Sequence, residues 1–216
     1  MELFWVIIAG IFWSEIIVHL GASILLHRHY CHKQFKVPVW FEWAGLFMLS
    51  IAYLRSPIGW IASHRMHHAY SDSEKDPHSA KHIGFWTVLL TLWHISDIPA
   101  KFAKDLYQNP RLVFFHKHHF KILMAHWVIS YMIHPYFFIA YALIPFIFAK
   151  IGFGLLNTLG HKDKGGTNVP WLNLFIAGEG YHQAHHNDSK RIRLNRWDLS
   201  GWLAEKLFVN ESDSKK

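Results

Sequence analysis

Two copies of one short pattern carry the chemistry of this chain. His64, His67 and His68 stand in HRMHH, and His182, His185 and His186 stand in HQAHH, each spaced H-x-x-H-H. On a helix, positions i, i+3 and i+4 share a face, so each pattern presents its imidazoles together. HRHYCH supplies His27 and His32, and NTLGH pairs Asn157 with His161 at i+4. Residues 27 and 32 lie about 140° apart around an ideal helix, which predicts that one of them sits where the helix unwinds. Neutral imidazole is the commonest protein metal ligand, and all-nitrogen ligation suits iron, zinc, copper or nickel. The single Cys31 excludes a disulfide scaffold or a thiolate-rich site. Nine imidazoles are more than one ion needs, and they predict a dimetal site.

The elements that must position these groups are strongly apolar. Hydrophobic residues make up 51% of the 216, aromatics 17% and charged residues 17%, yet the net charge is +7. Leu3 to Leu26 contains only Glu15 and His19 as ionisable groups. At ~1.5 Å per residue it reaches ~36 Å, enough to cross a ~30 Å hydrocarbon core. It has neither the basic start nor the small-residue end of a signal peptide, so 3–26 is expected to be a transmembrane helix. The segment 40–62 is interrupted by Arg55, Pro57 and Gly59. It is expected to be re-entrant or interfacial, which keeps His64 on the same side as His32. Residues 84–95 read as an interfacial or buried amphipathic helix. Residues 120–134 and 136–159 read as a transmembrane hairpin turning at His134-Pro135. The remainder, 63–119 and 160–208, is expected to form a cytoplasmic helical cap over the dimetal site.

The expected fold is therefore an all-α integral membrane protein, a single domain over 1–216. It has about three transmembrane helices plus one re-entrant or interfacial helix. Nothing basic precedes the first span, whereas Arg28, Lys33 and Lys36 follow it. This bias predicts an external N-terminus, with the active site and C-terminus cytoplasmic. The positive charge tracks the expected membrane face and not a single stripe, so nucleic acid is excluded as a partner. FHKHHF (115–120) reads as interfacial and is not needed for ligation.

With HRHYCH, HRMHHAYSDSEKDPH, NTLGH and GEGYHQAHH in this order, the chain resembles the membrane-bound fatty acyl desaturases from about residue 10 to about 208. The likeness is to the stearoyl-type, Δ9-like branch, closest in style to bacterial and cyanobacterial members. The resemblance implies an O2-dependent di-iron enzyme that inserts a cis double bond into a long acyl chain. It implies two iron ions, for which zinc can substitute in a purified sample, held by His27, His32, His64, His67, His68, His161, His182, His185 and His186. Asn157 would act through a water. Glu179, Asp72 and Asp76 would orient imidazoles from behind, and Trp60 would wall the substrate channel. Glu15 and His19, on a face continuing through Ser23 to His27, would line the far end of the acyl tunnel.

Where acyl-CoA enzymes of the family carry Arg-Asp, this chain has Ala62-Ser63, which widens the carrier to acyl-lipid, acyl-carrier protein or acyl-CoA. Electrons would come from a separate donor such as ferredoxin or cytochrome b5. The same histidine clusters also suit a di-iron lipid hydroxylase or oxygenase, or a non-enzymatic membrane metal-binding protein.

Overall fold

A computed structural model of the chain describes residues 1–52, 55–92, 97–161 and 165–209. Their only regular elements are helices, with one isolated bridge between Asn168 and Tyr181 and no strand. Helix α1 runs Glu2–Cys31, α2 Val39–Ala52, α3 Pro57–Tyr70, α4 Ala80–Ile83 and α5 Phe85–Leu89. The second half comprises α6 Pro110–Ile133, α7 Pro135–Leu159, α8 Asn173–Ile176, α9 His182–Asn187 and α10 Leu199–Phe208. Among the described residues two helices, α1 and α7, are long and apolar enough to cross a membrane, and α2 with α3 makes a third if that bent pair is one span. Phe4, Trp5, Ile8 and Phe12 of α1 and Ile147 and Ile151 of α7 are exposed on the outside, as lipid-facing residues would be.

α1 is longer than the run 3–26 and changes character along its length. It is α-helical to Ile16 and π-helical from Ile17 to Cys31. A π-helix bonds i to i+5, and the His32 N–H donates to the His27 carbonyl at 3.0 Å. His32 does lie where the helix ends, as expected, and the wider π-helical turn before it brings positions i and i+5 closer to one face than an α-helix would.

α2 and α3 meet at 89°, so residues 40–62 do not form one helix. Pro57 at the first helical position and the Ser56 hydroxyl, accepting from the Gly59 N–H, start α3 afresh. The His64–His68 pattern then falls on the second half of this helix. α6 begins at Pro110, capped by the Asn109 side chain, and not at Phe120. The FHKHHF stretch therefore lies on α6 itself. Of 84–95, the short α5 is helical, and positions 93–96 lie outside the described residues.

α1 packs on α2, with Leu25 filling the space above Gly45. The main core joins Ile24, Leu25 and Leu46 to Ile61 of α3 and Leu112 of α6. α5 crosses α7 so closely that a Cβ on Gly154 would fall on the Leu89 carbonyl. Backbone cannot yield there as a side chain can. Gly154→Ala is therefore expected to cost at least about 2 kcal/mol of stability, read as a lowered melting temperature in detergent. An unchanged melting temperature would contradict this packing.

Candidate metal centre

The structure brings all nine histidines together, in two groups. His27, His32, His64, His68 and His185 form one, and His67, His161, His182 and His186 form the other. In the first, Nε2 atoms approach at 3.1 Å for His27–His185, 3.2 Å for His27–His32 and 3.3 Å for His32–His64. His64–His68 and His68–His185 add 3.1 and 3.0 Å. In the second, His161–His182 is 2.7 Å, His182–His186 3.1 Å and His67–His186 3.3 Å.

Helix geometry explains the division. Each H-x-x-H-H sends its i, i+4 pair to one group and its i+3 member to the other. α3 gives His64 and His68 to the larger group and His67 to the smaller. α9 does the reverse, giving His182 and His186 to the smaller group and His185 to the larger. The two patterns are thus crossed between two centres, a feature that the spacing alone did not separate.

Carboxylates stand behind one imidazole or more in each group. Asp76 Oδ2 is 2.9 Å from His67 Nδ1, Glu179 Oε1 is 3.0 Å from His27 Nδ1, and Asp72 Oδ1 is 3.4 Å from His161 Nδ1. A carboxylate only accepts, so Asp76 holds the proton of His67 on Nδ1 and leaves the Nε2 lone pair pointing inward. Lone pairs facing one another at about 3 Å repel unless a cation lies between them. Metal–nitrogen bonds of about 2.0–2.1 Å would give ligand–ligand edges of about 3.0–3.4 Å, the range seen in the larger group. Burial, reinforced by neighbouring imidazoles, drives His182 and His185 well below the ordinary histidine range and His186 to about 3. Neutral rings are the form that ligates. The residues therefore fit two metal ions.

Behind Glu179 lies a group that the sequence did not single out. Arg28 is buried between Glu179 and Asp198, with its Nη2 2.8 Å from Asp198 Oδ2. Ser23 donates to Glu179 at 2.7 Å. Burial works to raise the Glu179 carboxyl, but Arg28, His27 and Ser23 outweigh it and hold the group down at about 2. Arg28 is consequently an internal ion-pair partner, not one of the surface charges by which membrane orientation was read. The signal was its place inside HRHYCH, since a buried guanidinium demands acids. His78 is buried too and stacks on His67, with ring centroids 4.3 Å apart.

A narrow cleft leads to both groups, reaching His27, His64 and His182. Its walls are mainly apolar and include Ala22, Ala149, Phe153 and Leu156. Trp60 lines it and stacks on His64, with centroids 4.9 Å apart and planes 11° from parallel. Asn157 lines it too, its amide donating to the Phe153 carbonyl at 2.8 Å.

Glu15 and His19 are placed differently from the sequence expectation. They are 3.4 Å apart, and His19 Nδ1 is 2.7 Å from the Ser200 hydroxyl of α10, with neither residue among those lining the cleft. Within the π-helical stretch Val18, Ala22 and Ser23 line the cleft, whereas His19 faces Ser200 of α10 and holds Glu15 from the turn before.

Comparison with known proteins bears directly on this site. The model of the family described as fatty acid desaturase matches residues 3–191. The chain belongs to the fatty acid desaturase family. It is 29% identical over 212 residues to the Delta-9 acyl-lipid desaturase 2 of Arabidopsis thaliana, covering 88% of this chain and 67% of that protein. It is likewise 29% identical over 211 residues to the sn-1 stearoyl-lipid 9-desaturase of Anabaena variabilis, covering 88% of this chain and 75% of the relative. The enzyme is accordingly an oxidoreductase of this family, and its histidine clusters are the candidate metal site.

Outer partners of metal-bound histidine typically govern affinity by 10–100-fold or so. Asp76→Asn should therefore weaken metal retention about 10-fold or more, measured by chelator competition on the purified desaturase. Retention equal to that of the wild type would contradict the role given to Asp76.

Proposed function

We propose that this desaturase uses O2 and two iron ions to introduce a cis double bond, at the Δ9 position, into a long acyl chain carried on a membrane lipid. The observation that carries the reading is the apolar cleft running up to both imidazole groups. His27, His32, His64, His68 and His185 hold one iron, and His67, His161, His182 and His186 hold the other, with Asn157 reaching it through a water. Bound iron supplies activation of O2, with the overall balance of one acyl CH2–CH2 unit, O2, two electrons and two protons giving an alkene and two waters. The electrons come from a separate carrier such as ferredoxin or cytochrome b5.

The protein's own part is positioning. Trp60, fixed flat against His64, offers a rigid wall beside the reacting carbons. Phe153, Ala149 and Leu156 hold the chain and exclude water from it. Glu179, Asp76 and Asp72 keep the imidazole rings turned inward.

The Arabidopsis and Anabaena relatives are named for acyl-lipid and stearoyl-lipid substrates, which favours a lipid carrier over acyl-CoA or acyl-carrier protein. Ala62 and Ser63 are buried in α3, so neither offers a contact to a headgroup arriving from water. The bend between α2 and α3 supports a segment that enters the membrane and returns, with the N-terminus outside and the imidazole groups and C-terminus at the cytoplasmic face.

Expression in a host lacking Δ9 unsaturation, followed by mass spectrometric location of double bonds, tests the reading. Δ9 alkenes are expected from the wild-type enzyme and none from His67→Ala. Hydroxylated chains in place of alkenes would favour a hydroxylase. Product surviving in His67→Ala would overturn the ligand assignment.

A further inference from the structure

A small apolar cluster stands apart from the main core. It comprises Val18 of α1, Phe148 of α7 and Ala177, with Phe175 packed against them. The Phe175 ring lies 5.3 Å from that of Phe148, so this residue of α8 spans the crevice between the two long apolar helices. α8 lies directly across α7, where a Cβ on Gly152 would come within 2.8 Å of the Phe175 carbonyl oxygen. Phe175 also lines the cleft below the imidazoles. Its neighbours Trp171 and Leu174 are turned outward, 50% and 69% exposed. The segment therefore has one side on the cleft and another on the exterior.

Depth identifies that exterior. Val18 precedes His27 and Phe148 precedes Asn157 by equal lengths of chain, within helices apolar enough to cross a membrane. Helical rise puts both on the order of 10 Å below the imidazole groups. At that level Trp171 and Leu174 meet hydrocarbon. Water there would leave two large apolar side chains, Trp171 and Leu174, exposed beside Phe175. α8 ends on Ala177, buried and left-handed at φ 52°, followed by Gly178 at φ 92°. The chain thus reverses sharply beside the cleft and returns to Glu179.

We propose that α8 gates a lateral portal between α1 and α7, with Phe175 as the closing residue, through which the acyl chain of a bilayer lipid passes sideways into the cleft. The identity of the entering chain rests on the desaturase reading. The portal itself rests on the packing of Phe175. In this arrangement a lipid headgroup stays at the membrane surface while its acyl chain passes Phe175 toward Trp60.

The test is chemical labelling of Phe175→Cys in phosphatidylcholine vesicles, with the wild-type enzyme as control because its one cysteine, Cys31, is buried. The probes are a long-chain N-alkyl maleimide, which partitions into the bilayer, and a charged methanethiosulfonate, which stays in water. The bilayer reagent should modify Phe175→Cys and not the wild type, while the charged reagent modifies neither. Modification should abolish desaturation of vesicle lipid with metal content unchanged. Trp171→Cys, on the outer side, should show the same reagent preference with turnover retained, and it carries the comparison if Phe175→Cys does not fold.

Labelling by the charged reagent as fast as by the lipophilic one would place the opening in water and overturn the proposal. So would resistance to both reagents. The labelling pattern does not depend on turnover. If the desaturase reading alone fails, the pattern persists with no double bonds formed.

Discussion

Nine imidazoles converge with their Nε2 atoms turned inward, and the remainder of the molecule is arranged to keep them so. Left alone, such rings would rotate apart or protonate. Carboxylates oppose the first: Asp76 accepts a hydrogen bond from His67 Nδ1–H, and Glu179 and Asp72 stand against Nδ1 of His27 and His161. Burial prevents the second for His182, His185 and His186, whose rings are held neutral. The carboxylates themselves need anchoring, and Glu179 obtains it from Arg28 and Ser23 on the same π-helical stretch that carries His27. Asp198 completes this chain of contacts. It holds Arg28 on one oxygen and caps the last helix through the Gly201 N–H at 2.8 Å on the other. The C-terminal helix is thereby linked to His27 through a continuous line of charged groups.

The surface side of this arrangement is equally tied in. Lys190 donates to the His32 carbonyl at 2.6 Å, and Gln34 donates to the Ser189 carbonyl at 2.8 Å. The segment after α9 therefore braces the end of α1 where the first two histidines emerge. Arg65 does the same for α3, reaching the Tyr30 carbonyl at 2.8 Å and Asp105 at 2.8 Å. Helices that contribute ligands are fastened to one another by groups that are not themselves ligands.

Much of the site was legible in the sequence because imidazole spacing on a helix is a local property. Two H-x-x-H-H patterns and an N-x-x-x-H need no tertiary information to be seen as shared faces, and the carboxylates of GEGYH and YSDSEKDPH lie close to them in the chain. What stayed hidden depended on register or on distant partners. The crossed assignment of each pattern to two centres follows from how α3 and α9 face each other. The π-helical stretch of α1 is a matter of register: it brings His27 and His32 toward one face, and it leaves His19 facing Ser200 and not the cleft. Nothing in SEIIVH, where the helix changes, signals a switch from i+4 to i+5 bonding. Arg28 looked like a charge at a membrane surface, because its partners Glu179 and Asp198 lie far along the chain. The start of α6 was available from the sequence in Asn109-Pro110, an N-cap followed by proline, but the apolar run that begins at Phe120 dominated the reading.

The central claim is that the two groups of imidazoles are two separate metal centres. Anomalous diffraction at the iron edge from crystals of the iron-loaded enzyme tests this most directly. Two peaks are predicted, one among His27, His32, His64, His68 and His185 and the other among His67, His161, His182 and His186. A single peak, or a second peak displaced to Asp76 and His78, would contradict the account.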